Sequence, residues 1–325
     1  KNLKYFEYYN NKQLPLLDGV AITFLRDKQA AFLEFIMGNI DFLSGIDGSY
    51  KDEVLTKEGL LRPKYKDQIN LQVQDYLNTE YLGFLFSDSL SPIKYLEIRQ
   101  AINYGFDRKK MLRYLRNNIG TPAENGFVPK GMPSFDQDIK GFYYNPEKSK
   151  QLINKIKSLH GEELGVITLS TTSSYLDLCE YIQNELAKLG LEIQIEVNPP
   201  STHRQMVATS KLSFFRGSWI ADYPDAENYL SLFYSKNHSP SGPNYTHFID
   251  SSFDSLYDIS LSEKNDSIRF GYYNQMDKII INNAQVVPLY YDNVLRFTQK
   301  SIIGLSNNPI NMLNLKYVDK MLVNP

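Results

Sequence analysis

Apolar and polar positions along the 325-residue chain change period several times, and the changes mark an alternation of strands and helices. Residues 191–197, L-E-I-Q-I-E-V, alternate strictly and predict a strand. Before them Leu178, Cys179, Ile182, Leu186 and Leu189 recur at helical spacing, with Gly190 as the stop. Val166–Ser170 predicts a strand ahead of that helix. This order predicts a right-handed βαβ unit with parallel strands. Cys179 falls on the buried stripe and reads as core, not as a nucleophile.

Elsewhere the pattern is less regular. The opening stretch K-N-L-K-Y-F-E-Y-Y predicts an aromatic strand, followed by a turn at Pro15–Gly19. Val20, Ile22 and Phe24 share one face of a short strand predicted over Val20–Leu25. A helix is predicted over 28–37, with Ala30, Leu33 and Met37 on one stripe and Gly38 as its stop, then a short strand at Asn39–Leu43. Residues 50–75 predict a helix, a break at Pro63 and a strand Ile69–Asp75, and Tyr76–Phe86 predicts another. Pro92 introduces a helical stretch over 93–118, with Ile98, Ala101, Ile102, Leu112 and Leu115 inside. Residues 120–146 are rich in Gly and Pro, a loop long enough either to cover a site or to pack on its own side chains. A strand at 212–218, a helix over 253–283 and an extended segment opening at Val286–Tyr291 complete the pass.

Composition narrows the function classes. With 42% hydrophobic and 22% charged residues the chain can bury a substantial core, and its length suits two domains or one elaborate α/β unit. Lys plus Arg at 35 against Asp plus Glu at 37 leaves a net charge of −2, which disfavours nucleic acid as a partner. Apolar runs are of strand length and fall short of a membrane span. A single cysteine excludes an internal disulfide framework and a multi-cysteine metal site. The 24 tyrosines and 18 phenylalanines favour a recognition surface or cleft. The first residues show no basic segment followed by an apolar one, and this says nothing about compartment.

Candidate chemistry is sparse. His160, His203, His238 and His247 are dispersed without metal-ligand spacing, so no metal and no cofactor is expected. Neither a G-x-S-x-G nor a phosphate-binding glycine loop is present. Asp222 and Asp225, in W-I-A-D-Y-P-D, raise a glycosidase-type acid/base pair, although two carboxylates three residues apart around a proline more often make a turn or one ligand charge. D-Y-P-D-A-E-N also lacks the glycine and spacing of an EF-hand. Asp222 follows Trp219 at the end of a strand, a setting suited to a ligand cation: the carboxylate gives charge-assisted hydrogen bonds, and Trp219 and Tyr223 give aromatic walls. An Asp capping a helix that begins near 225, beside an ordinary core Trp, fits the spacing equally well.

Four stretches carry a resemblance. They are L-P-L-L-D-G-V-A-I-T-F-L-R-D (14–27) with G-N-I-D (38–41); L-N-T-E-Y-L-G-F-L-F (77–86) with E-I-R-Q-A-I-N-Y-G-F-D-R (97–108); G-F-Y-Y-N-P-E-K-S-K-Q-L-I (141–153); and W-I-A-D-Y-P-D-A-E-N-Y-L (219–230) with V-V-P-L-Y-Y (286–291). In this order, across nearly the whole chain, the sequence resembles the bacterial extracellular solute-binding proteins of family 5, the peptide- and nickel-type receptors of ABC importers.

The resemblance implies a two-lobed α/β fold of the periplasmic-binding-protein type, type II-like. Residues 1–77 and the return segment 293–325 would belong to lobe one, and 78–292 would be all of lobe two. Family members begin well before residue 1, so the chain is expected to be a C-terminal fragment with lobe two complete and lobe one partial. Residues 1–77 should then expose unusual apolar surface or have it covered by a neighbouring chain. A non-enzymatic receptor is implied, periplasmic or lipid-anchored on the cell surface. It would enclose a small peptide between its lobes and deliver it to an inner-membrane ABC permease, as a monomer when full length, with no catalytic residue. Asp222 would pair with the ligand's α-amino group, flanked by Trp219, with Asn78 and Tyr291 near the hinge within reach of the cleft. Arg99 would form a structural ion pair. The loop T-T-S-S (171–174) has no basic residue for a ligand carboxylate, which argues against a fixed dipeptide length. The alternatives are an α/β carbohydrate hydrolase using Asp222 and Asp225, and a receptor-like sensory domain.

Overall fold

Strand–helix alternation becomes a mixed α/β fold in the computed structural model, which describes residues 8–9, 11–25, 27–45, 51–85, 91–161 and 164–321. The chain forms two units. One takes the described residues up to Tyr76, the segment Arg116–Ile119 and the chain from Asn293; the other takes Leu77–Leu115 and Gly120–Asp292.

In the first unit, β1 (Tyr8–Tyr9) and β2 (Lys12–Gln13) pair antiparallel across a turn in which Asn11 has φ 61°. Residues 1–7, the rest of the expected aromatic strand, lie outside the described residues. The expected strand Val20–Leu25 is irregular chain. Its alternating side chains are exposed, Phe24 to 92% and Ile22 to 75%. α1 (Lys28–Ile36) starts where Asp27 Oδ1 accepts from Ala30 N at 2.7 Å and ends before Gly38, at φ +82°. Its buried stripe is Phe32 and Phe35; the expected stripe residues Leu33 and Met37 are exposed. Helical spacing alone admits either stripe, and the two aromatics bury more area. β3 (Phe42–Ser44) pairs with a later strand. α2 (Lys51–Val54) and α3 (Pro63–Lys66) follow, and Pro63 begins a helix instead of breaking one, because a first-turn N–H needs no partner. Phe32, Phe35, Val54, Leu55, Ile69, Ile119 and Phe297 make this unit's core.

β4 (Ile69–Phe84) is one continuous strand where two were expected, and it carries the chain from the first unit into the second. The expected helix 93–118 is two helices, α4 (Leu96–Tyr104) and α5 (Arg108–Leu115). Asp107 Oδ1 accepts from Lys109 N and Lys110 N at 2.9 and 3.0 Å, opening the second. A Cβ on Gly105 between them would lie 2.4 Å from Leu186 Cδ2 and 3.0 Å from Ala101 O, so a larger residue there would make Leu186 shift. β5 (Thr121–Pro122) is the one short strand in the 120–146 loop. α6 (Pro146–His160) is capped by Asn145 Oδ1 on Lys148 N at 3.0 Å.

β6 (Ile167–Thr171), α7 (Leu176–Ala187) and β7 (Ile193–Val197) form the expected βαβ unit, parallel from Ile167↔Ile193 to Thr171↔Val197. Cys179 is in its core, and burial pushes the thiol up to about 11. α8 (Pro200–Ala208) leads to β8 (Phe214–Ile220), which runs parallel to β6 and antiparallel to β4. α9 (Glu227–Leu230), α10 (Ser251–Ser260) and α11 (Asp266–Asn282) follow; the last two replace the single helix expected over 253–283. β9 (Val286–Gln299) completes a sheet of order β9-β4-β8-β6-β7, with β5 on β9, and its far end pairs with β3 in the first unit. β10 (Ile302–Ile303) and β11 (Asp319–Lys320) close the chain as a two-stranded ladder. Among the described residues no helix is long and apolar enough to cross a membrane.

Candidate functional site

The pleat of β4 and β8 sorts the residues of the second unit into two sets. Thr79 lies opposite Trp219 and Tyr81 opposite Gly217; between them on the other face, Asn78 is opposite Ile220 and Glu80 opposite Ser218. A Cβ on Gly217 would stand 2.7 Å from Tyr81 Cζ, so the absent side chain makes room for that ring.

The strand ends at Ile220, and Asp222 and Tyr223 follow as exposed residues. One side chain ties this segment together. Asn228, buried at the start of α9, accepts from Trp219 Nε1 at 2.8 Å and from Asp222 N at 3.3 Å through Oδ1, and its Nδ2 donates to Asp222 Oδ2 at 3.4 Å. Trp219 is half-buried rather than core. Tyr223 donates its hydroxyl to Glu227, which also receives the Tyr257 hydroxyl.

The two carboxylates of the W-I-A-D-Y-P-D segment differ in what they do. Asp225 Oδ1 accepts from Glu227 N at 2.9 Å, and its Oδ2 is 3.1 Å from Arg269. Asp225 is therefore the turn and ion-pair residue, and Asp222 keeps an exposed carboxylate.

Asn78 and Tyr291 are buried. Asn78 Nδ2 donates to Glu80 Oε1 at 3.0 Å, and its Oδ1 has no partner among the described residues. Tyr291 donates its hydroxyl to Gly126 O at 2.9 Å, and burial raises its phenol well above the usual value. The structure thus joins Trp219 and Asp222 through Asn228, leaves Tyr223 on Glu227, and places Asn78 on the adjoining strand but on the sheet face opposite Trp219. Tyr291 is spent on the Gly126 segment.

Three features escape the sequence reading. Asn228 has no spacing signature. Glu80 forms a buried ion pair with Arg216, whose guanidinium lies 3.2 Å over the Tyr175 ring; burial opposes that charge, but Glu80 leads the effects that hold the guanidinium above its usual value. A basic group thus comes next to the T-T-S-S loop from another strand. Asp277, on α11, accepts from Phe127 N and Val128 N at 2.7 and 3.1 Å. Arg99 donates to the carbonyls of Ile93, Lys94, Asn283 and Ala284, a carbonyl clamp. His203 Nε2 donates to Arg216 O at 2.8 Å, and His238 and His247 stack on each other.

Comparison with known proteins agrees with this architecture. The dipeptide-binding protein DppE of Bacillus subtilis (strain 168) is 24% identical over 322 residues, which are 96% of this chain and 56% of that protein. The substrate-binding protein CtaP of Listeria monocytogenes superposes with a TM-score of 0.78 at 20% identity, covering 91% of this chain and 59% of CtaP. The periplasmic binding protein DppA of Helicobacter pylori, in complex with peptide STSA, gives 0.76 at 18% identity, covering 91% and 56%. The chain spans little more than half the length of each of these proteins. The fold is that of the periplasmic solute-binding proteins. Residues 2–241 match the family described as bacterial extracellular solute-binding proteins, family 5 Middle, and the chain belongs to that family.

Proposed function

We propose that the chain is the ligand-recognising part of an ABC importer's receptor for small peptides, and that Asp222 binds the peptide's free amino group. One observation carries the reading. Of two neighbouring carboxylates, Asp225 is spent on Arg269 and a backbone N–H, whereas Asp222 stays exposed beside the half-buried indole of Trp219. An ammonium leaving water needs an ionised partner and a polarisable wall, and this pair offers both. Tyr223 lines the same segment, whereas Asn78 lies one strand away on the opposite sheet face. Tyr291 is occupied with the Gly126 carbonyl. The relatives' peptide-binding names and the bound peptide in the Helicobacter pylori protein support the ligand class.

In this reading the unit of Leu77–Leu115 and Gly120–Asp292 is lobe two, and the other unit, with Arg116–Ile119, belongs to lobe one. A membrane permease receives the ligand, the protein works outside the cytoplasm, and no bond is made or broken. Calorimetric titration with trialanine and N-acetyltrialanine tests it. The unmodified peptide should bind much more tightly, and Asp222→Asn should cost roughly 2–5 kcal/mol for it and little for the acetylated form. Asp225→Asn should cost about 1 kcal/mol or less in binding and lower the melting temperature through the lost Arg269 pair. Equal affinity for the two peptides would return Asp222 to the role of a turn residue.

A further inference from the structure

The Asn228 side chain is 6% exposed, and its neighbours fix which end is which. Two donors, Trp219 Nε1 at 2.8 Å and Asp222 N at 3.3 Å, converge on Oδ1, so the amide nitrogen has to face the other way. There it meets Asp222 Oδ2 at 3.4 Å. One buried amide therefore hydrogen-bonds both Trp219 and Asp222.

Resting on the reading of Asp222 as the ammonium's partner, we propose that Asn228 is the positioning residue of this site. It holds the Trp219 indole and the Asp222 carboxylate in one fixed relation before ligand arrives. An exposed carboxylate on a free rotor would have to be ordered on binding, a cost worth roughly two- to tenfold in affinity per side chain. Asn228 removes that cost. It donates to the carboxylate without neutralising it, which a Lys or Arg in its place would do. It also couples the two groups, because the oxygen that anchors the indole belongs to the amide whose nitrogen reaches Asp222.

Trp219 is the chain's single tryptophan, so its indole N–H gives one resonance that reports on this contact without ligand. Asn228→Leu, nearly the same size, should displace that resonance and speed its hydrogen exchange. Asn228→Asp keeps an acceptor for the indole but sets an oxygen against Asp222 Oδ2. It should leave the resonance nearly in place. Both variants should reduce the preference for trialanine over N-acetyltrialanine by about tenfold. The deciding measurement is a double-mutant cycle: Asp222→Asn should cost much less of that preference in the Asn228→Leu background than in the wild type. An equal cost in both backgrounds, or an indole resonance unmoved by Asn228→Leu, overturns the positioning role. A wild-type chain that binds both peptides equally sinks the amino-group reading instead, and the indole resonance still decides whether Asn228 holds Trp219.

Discussion

Asp277 is a carboxyl placed where a helix presents its core stripe, between Tyr273, Met276, Ile280 and Ile281. Burial pushes its acid form up to about 7, with Asp136 adding to the rise; the N–H groups of Phe127 and Val128 pull the other way and lose. The folded carboxyl therefore binds its proton more tightly than an unfolded one, which titrates near 3.9. Below about pH 4 both states are protonated and Asp277 leaves stability unchanged. As pH rises from about 4 to 7 the folded state resists ionisation, and stability falls by about 4 kcal/mol at most. Urea unfolding at several pH values should show that decline in the wild type and a flatter profile in Asp277→Asn; parallel profiles would remove Asp277 as the cause. At this scale the sequence was informative where residue type alone matters. Cys179 reads as core from its stripe, whereas Asp222 stands apart from Asp225 only once the Arg269 pair is seen. Asn228 was not legible, because an amide's partners are set by tertiary geometry. Asp277 did leave a signal: an acidic residue on an otherwise apolar helical stripe implies a buried hydrogen-bonding task.

Among the elements, the βαβ unit from Ile167 to Val197 was legible because strict alternation, a helical stripe and Gly190 at φ +86° all agree. Val20–Leu25 shows what alternation alone lacks: a strand needs a neighbour to take its hydrogen bonds, and none is specified locally. The helical stretches 93–118 and 253–283 each hid a break, made in the first by a cap at Asp107 and a close approach at Gly105. In the second, Asn265 Oδ1 accepts from Ser267 N at 3.0 Å and restarts the helix. The β4–β8 pair depends on a similar close approach. Gly217→Ala would put a methyl 2.7 Å from Tyr81 Cζ and 2.9 Å from its hydroxyl, so the strand or the ring must move. The expected cost is about 1–3 kcal/mol by chemical denaturation, with most of it recovered when Tyr81→Leu is added. A Gly217→Ala chain as stable as wild type would mean that the Tyr81 ring swings clear at no cost.

For the molecule as a whole, the first unit stands out for its apolar surface. Ile22 and Phe24 are largely exposed, Val20, Leu33 and Met37 are more than half or about half exposed, and Ile36 is only half-buried. Among the described residues of 1–77 the expected exposed apolar surface is present. Which side chains would be exposed was not legible, since Leu33 and Phe32 are adjacent on one helix and only packing separates them. A patch of this kind in water drives association unless something covers it. The chain should therefore self-associate with rising concentration in sedimentation velocity. Ile22→Ser with Phe24→Ser should shift it toward the monomer. Both residues lie in irregular chain and outside the core of Phe32, Phe35, Val54 and Phe297, so the double variant should keep the wild-type melting temperature. Loss of stability in that variant would show that these side chains are packed in solution. Association unchanged by it would place the sticky surface elsewhere on the molecule.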